Sequence, residues 1–433
     1  MKRLTKRLLS VILSTTLLFS LGGCSDIRVK EKDNPFQGID SNIITFEAAL
    51  TPKKLTPFSS EFVSGLNRYG FDVLLKMYDG ENIAISPASL QLALLMTAIG
   101  AEGNTRDEMM SALRMSGISE EEILSSVAQL MWRANRNGME TSNSLWLQDD
   151  YNFAKEYVSH CNENFMADLY NVDFVDDPSG AEELMNAWVN HKTHGKIPEI
   201  LKNDVSSLTR LVLINALYFL GEWETSFDKD QTFDEVFHGS NGDTTVPFMH
   251  ARWTVRYTEG NTFQLILLPF RGDEGETGPY AMTFILPKKG YAPEDVSEEI
   301  SETGIESLLS SASEKEVIIS LPKFEFEFQS SMIQTMQALG MNEAFTMNAQ
   351  FANMLESNKN DLYVSEIMHK TYIRVNEEGA EAAAATAVVM DIKAAPNDDP
   401  EQTIVFNADR PFLFAICDTT DGTILFTGIT ANL

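Results

Sequence analysis

Apolar side chains recur at helical spacing over residues 58–79, at Phe62, Leu66, Tyr69, Val73, Leu74 and Met77, before Asp79 and Gly80 close the run. This predicts an amphipathic helix. In the next segment, NIAISPASLQLALLMTAIGA, Ser86 can cap and Pro87 takes the first position of a helix to Ile99 that is apolar almost all round. Such a helix must be buried centrally. Gly100 and Gly103 break it, and Asn104 starts another through Leu113. Helical spacing also covers 154–169 and 181–194. LVLINALYFL, residues 211–220, is a continuous apolar run, the mark of a strand covered on both faces. LPKFEFEF, residues 321–328, alternates Phe324, Phe326 and Phe328 with Glu325 and Glu327, the period of a half-buried strand. Further strands are predicted over 263–269, 281–286, 363–376, 403–407, 412–417 and 423–430. Helices dominate the first part and strands the second, as in α+β chains, and no repeat or linker divides the chain after residue 57.

One segment fits neither pattern. EEGAEAAAATAVVMDIKAAP, residues 377–396, has six alanines among the eight residues 380–387, yet Gly379 precedes the run and Val388 and Val389 end it. It lies between two predicted strands as a small, apolar, unanchored stretch.

The N-terminus reads MKRLTKRLLSVILSTTLLFSLGGC, with basic residues, then an apolar run over 8–21 that is too short for a membrane span of roughly 20 residues. It is an export signal by composition. Leu21, Gly22, Gly23 and Cys24 resemble the lipobox of bacterial lipoproteins, which implies a lipidated Cys24 and a membrane-anchored, exported protein. Residues 25–57 are polar, contain Pro35, Pro52 and Pro57, and suit a tether.

The formal charge is −30; without Lys2, Arg3, Lys6 and Arg7 the mature chain keeps 29 basic against 63 acidic residues, a charge of −34. That surface repels nucleic acid and anionic headgroups. Only Cys161 and Cys417 remain after the signal, with no CxxC, so they are read as buried structural thiols.

Catalytic signatures are absent: no P-loop, no GxGxxG opening a helix, no GxSxG and no HExxH. His191 and His194 are three apart and without a third ligand make no metal site. His250 has no evident partner in the sequence. Asn215, inside the apolar run, needs a hydrogen-bond partner to avoid a cost of a few kcal/mol. His369, Ser86 and Ser89 are the candidates. A Ser–His–Asn set suggests a triad, but these residues lie in deeply apolar contexts, which favours a buried structural network.

Several segments, spread over 58–433, resemble the serpin family: NIAISPASLQLALLMTAIGAEGNTRDEM, WVNHKTHGKIPEIL, INALYFLGEWETSF and LPKFEFEF, in the family's order. FNADRPFLFAI is similar to its signature, and EEGAEAAAATAV to its reactive-loop hinge. The resemblance implies one domain with a large central antiparallel β-sheet, two smaller sheets, a helical coat and an exposed reactive loop over about 377–402. It further implies that Ser86, Ser89, Asn215 and His369 form a "shutter" where the sheet opens, and that Trp223, Lys323 and Glu377 form a "breach" at its top.

By the same resemblance the chain is a monomeric suicide inhibitor without cofactor or metal, not an enzyme. A protease attacks the loop and forms an acyl-enzyme, and the cut loop inserts as a new central strand, a behaviour long known for these proteins. The hinge is Glu377, Glu378, Gly379, Ala380, Glu381, Ala382, Ala383 and Ala384. Strand alternation puts Ala380, Ala382, Ala384, Thr386, Val388 and Met390 on one face and Glu381 on the other, so the inward face carries no charge. No proline interrupts this segment. Counting along the family pattern places cleavage between Lys393 and Ala394, a bait for trypsin-like serine proteases. The stretch from 394 to 405 is longer than the pattern, so cleavage after Met390 stays open, as do cysteine proteases as targets. The alternative is a non-inhibitory binding protein on the same fold.

Overall fold

The computed structural model describes residues 56–136, 139–272, 277–357, 361–380 and 404–433. The expected signal with Cys24, nearly all of the tether, and the loop from Glu381 through Ala382, Ala383 and Ala384 to Lys393 and Ala394 lie outside the described residues. In chain order the first half runs α1 (Ser60–Met77), β1 (Ile83–Ile85), α2 (Pro87–Ile99), α3 (Gly103–Ala112), α4 (Glu120–Arg136), β2 (Met139–Gln148), α5 (Lys155–Phe165), β3 (Ala167–Val172), α6 (Pro178–Lys192), β4 (Leu211–Phe219) and β5 (Gly221–Glu222). The second runs β6 (Thr232–Gly239), β7 (Gly242–Glu259), β8 (Phe263–Arg271), β9 (Thr277–Pro287), α7 (Pro293–Thr303), α8 (Ile305–Ser311), β10 (Ser313–Pro322) and β11 (Phe324–Ser331). It closes with α9 (Ile333–Ala338), β12 (Glu366–Val375), β13 (Gly379–Ala380), β14 (Ile404–Asn407), β15 (Phe412–Asp418) and β16 (Ile424–Thr430).

The start signals act as their chemistry dictates. Ser59 accepts the Phe62 amide at the head of α1, and Ser86 accepts the Ser89 amide at 3.3 Å to start α2 at Pro87. Every residue from Pro87 to Ala98 is buried. Two helices differ from their periodicity. The helix expected over 154–169 stops at Phe165, because Met166 turns left-handed (φ 49°) and Ala167–Val172 pairs with β2 as a parallel strand. The one expected over 181–194 starts three residues earlier, at Pro178, capped by the Asp177 carboxylate.

A seven-stranded sheet has the order β3-β2-β4-β12-β13-β5, with β11 also on β12. It is the large sheet that the resemblance implies, but it is mixed: β2 pairs β3 and β4 pairs β12 in parallel, while β2–β4 and β11–β12 are antiparallel. The β4–β12 pairing spans only Glu366↔Val212 to Lys370↔Ala216. Above it the two strands diverge, and Gly379–Ala380 sits between Val375 of β12 and Gly221–Glu222 of β5, antiparallel to both. A strand continuing from β13 down this seam would replace one parallel pairing by two antiparallel ones.

The two smaller sheets form one nine-stranded, continuously hydrogen-bonded sheet. The long β7 joins them, pairing with β6 over residues 242–249, with β10 over 248–257 and with β8 over 256–259. The LPKFEFEF segment expected as one strand is two: β10 ends at Pro322 in the nine-stranded sheet and β11 starts at Phe324 in the other. Lys323 is the crossover. Phe324 then packs on Phe412 and Phe414 between the sheets, with ring centroids 5.9 and 5.5 Å away.

Candidate functional site

Where β12 ends, the chain reverses on an asparagine. The Asn376 side-chain oxygen accepts the amides of Glu378 (2.9 Å) and Gly379 (3.2 Å), and the Asn376 amide donates to the Gly379 carbonyl at 3.1 Å. This turn aims β13 back along β12. Gly379 is required by close approach: a Cβ there would overlap the Gly221 carbonyl oxygen and lie 2.8 Å from the Glu222 Cα. Ala380 follows with its side chain in the core, 3% exposed.

The turn is gripped from the side. Trp223, fully buried and stacked on Phe270 at 4.9 Å, donates its indole N–H to the Asn376 carbonyl (2.8 Å) and its amide to the Glu378 carbonyl (2.9 Å). The Phe227 amide donates to the Glu377 carbonyl at 2.9 Å. The Glu377 carboxylate, 5% exposed, receives the Lys323 ammonium on both oxygens (3.1 and 2.9 Å) and the Thr232 hydroxyl at 2.9 Å. Burial pushes its pKa up, but the Lys323 hydrogen bond, a backbone amide and Thr232 outweigh this and leave it below the usual carboxylate range. Lys229 holds Glu378 at 2.6 Å. Trp223, Lys323 and Glu377 are thus brought together around the Asn376 turn. Asn376, Thr232, Phe227 and Lys229 join them unexpectedly; the Asn-x-x-Gly spacing was a legible turn signal for the first alone.

At the lower end of the split the second set is also together. Asn215 on β4 donates to Ser89 Oγ (2.6 Å) and Asn143 Oδ1 (2.8 Å); His369 on β12 accepts the Ser86 amide on Nε2 at 3.1 Å. Asn215 and His369 face each other across the seam in register but are not hydrogen-bonded to one another. The N-terminal turn of α2 therefore ties both sides of the seam, through Ser89 to β4 and through Ser86 to β12. No triad exists here. The His369 Nε2 is already an acceptor, the Ser86 hydroxyl donates to the Leu425 carbonyl at 2.7 Å, and all four residues are at most 2% exposed. Asn143, whose polar strand gives no hydropathy signal, is the partner that the sequence did not reveal.

Burial holds the His369 pKa down to about 4. The unfolded imidazole protonates near 6.5, so the stability this residue contributes is complete above that pH and is lost as pH falls toward 4, by up to about 3 kcal/mol. In urea titrations at several pH values, His369→Asn is expected to remove that part of the acid sensitivity. An unchanged pH dependence would show that His369 titrates normally.

Elsewhere, His250 is not partnerless: it contacts the Gln231 carbonyl, Glu235 and Ser320, each at 3.1 Å, and stacks on Phe233. Cys161 and Cys417 are buried free thiols. Among the described residues no His, Cys, Asp and Glu cluster of metal-binding size occurs, and no helix is long and apolar enough to cross a membrane.

The comparisons with known proteins agree with this architecture. The chain is 33% identical to intracellular coagulation inhibitor 2 of Tachypleus tridentatus over 380 residues, covering 86% of this chain and 90% of that protein. It is 33% identical to an uncharacterized serpin-like protein of Thermococcus kodakarensis, covering 98% of each. Tengpin, a thermophilic serpin solved in its native state, superposes with a TM-score of 0.81 at 28% identity, over 91% of this chain and 100% of that one. A family model described as Serpin (serine protease inhibitor) matches residues 64–433, and the chain belongs to the serpin family.

Proposed function

We propose that this protein is a suicide-substrate inhibitor of serine proteases, with residues 377–402 as bait and inserting strand. One observation carries the reading: Gly379–Ala380 already stands as a two-residue antiparallel strand at the mouth of a parallel seam, with the small Ala380 side chain in the core. Parallel pairing is the weaker kind per residue, and backbone hydrogen bonds on both sides would reward each further residue that enters. The uncharged inward face of the following residues fits that path. Within the loop, Lys393–Ala394 is the proposed scissile bond, which suits trypsin-like proteases with an acidic specificity pocket. We further propose export as a monomeric lipoprotein anchored through Cys24, with no role for cofactor or nucleic acid.

Incubation of the full chain with trypsin is the test. A covalent complex that survives SDS, and a rise in Tm once the loop is cut, are expected; mass spectrometry of the released peptide should begin at Ala394. Clean cleavage with no complex and an unmoved Tm would overturn the inhibitory reading and leave a binding protein on the same fold.

A further inference from the structure

A cavity of about 420 Å³ opens between the chain that follows β5 and strands β7, β8 and β9. Its floor is apolar and buried: Val255, Leu267, Leu268 and Ala281 are 1–7% exposed. Two indoles, Trp223 and Trp253, contribute its walls. The size falls in the range of small-molecule sites, roughly 300–1,000 Å³. The charged groups at its rim are Glu224, Glu314 and Arg256. Arg256, the only cation among the described lining residues, donates to the Leu309 carbonyl near the end of α8 and stands opposite Glu314 in the β7–β10 pairing. Glu314 is exposed, and among the described residues Glu224 accepts the Thr277 hydroxyl. The two carboxylates therefore outnumber the engaged arginine, on a chain of net charge −30 that already enriches cations near its surface.

We propose that this cavity binds a small amphipathic amine, its apolar body on the floor of Val255, Leu267, Leu268 and Ala281 and its ammonium toward Glu224 and Glu314. The same walls hold the hinge. Trp223 donates to Asn376 and Glu378, while Phe227, which donates to Glu377, packs on Trp253 with ring centroids 4.4 Å apart. A ligand seated on the floor packs against the residues that carry these bonds, and so slows opening of the hydrogen bonds at the loop base. This role goes beyond protease inhibition and does not depend on it.

Dansylcadaverine, a fluorescent amphipathic amine, titrated onto the full uncleaved protein tests the proposal by energy transfer from tryptophan. Saturable one-to-one binding is expected, weakened about tenfold or more, that is by about 1.4 kcal/mol, in the double variant Glu224→Gln, Glu314→Gln. The anionic dye anilinonaphthalene sulfonate should not compete. Hydrogen exchange of the Trp223 and Phe227 amides should slow when the amine is bound. Absence of saturable binding, equal affinity for the anionic dye, unchanged affinity in the double variant, or unaltered exchange at 223 and 227 would each overturn it. No protease enters the experiment, so its failure is distinct from failure of the inhibitory reading.

Discussion

Arginine in place of Ala382 is expected to turn a trap into an ordinary substrate. Ala380 fixes the parity: its side chain is in the core with 3% exposure, so the residue two further along a continuing strand enters the same face. There it would meet the space bordered by Phe219, Ile373, Arg374, Ile416 and Phe426, where no acidic side chain stands among the described lining residues to pair with a guanidinium. Burying an unpaired charge costs several kcal/mol, enough to stall insertion at its second inward step. Folding of the uncut protein should be little affected, because the charge is buried only on insertion. With trypsin, and counting by mass spectrometry only chains cut between Lys393 and Ala394 rather than after the new arginine, the covalent complex should fall at least about tenfold and the rise in Tm should shrink, since each 1.4 kcal/mol is a factor of ten. Persistence of full complex formation would show that residue 382 does not enter the core.

Trp223→Ala should be the most damaging single change at the loop base. The indole is 1% exposed, stacks on Phe270, and carries one of the two hydrogen bonds by which this residue holds the turn. Truncating a buried tryptophan costs about 3–5 kcal/mol. Trp223→Phe keeps most of the packing and loses the indole N–H, so it should cost far less, nearer the ~1 kcal/mol of a single hydrogen bond. Urea midpoints of the two variants separate packing from grip. Equal losses in both would mean that the hydrogen bond to Asn376, rather than the ring, carries the effect.

The elements that the sequence revealed are those whose chemistry is local. The helix from Pro87 carries its cap, its proline and its unbroken apolar surface within 14 residues, Ser86 to Ile99, and β4 is a single apolar run. By contrast β7, GDTTVPFMHARWTVRYTE, changes partners along its length and is exposed over much of it, so no single period survives and Pro247 interrupts the pattern. The strand β2, METSNSLWLQ, buries Asn143 and Ser144, polar residues that hydropathy assigns to the surface. By periodicity Lys323 is one more position in an alternating strand, and only the resemblance set it beside Glu377; the passage of the chain from one sheet to the other makes it a crossover. At the site, the demand that Asn215 find a partner was legible from burial alone, and Ser89 among the named candidates meets it. That His369 binds Ser86 instead of Asn215 was not legible, because it depends on which side of the seam each residue of the first turn of α2 reaches.

The shortness of that seam sets a clock. Five residue pairs join β4 to β12, worth about 5 kcal/mol at roughly 1 kcal/mol each if all parted together. An incoming strand parts them one at a time and re-forms hydrogen bonds behind itself, so the barrier at any moment is a small part of that sum. If the loop inserts as proposed, the cut loop races water for the acyl-enzyme. A protease that deacylates slowly would be caught and one that deacylates quickly would leave, so the number of seam pairs would work as a filter on protease turnover, separate from whatever the bait residue selects.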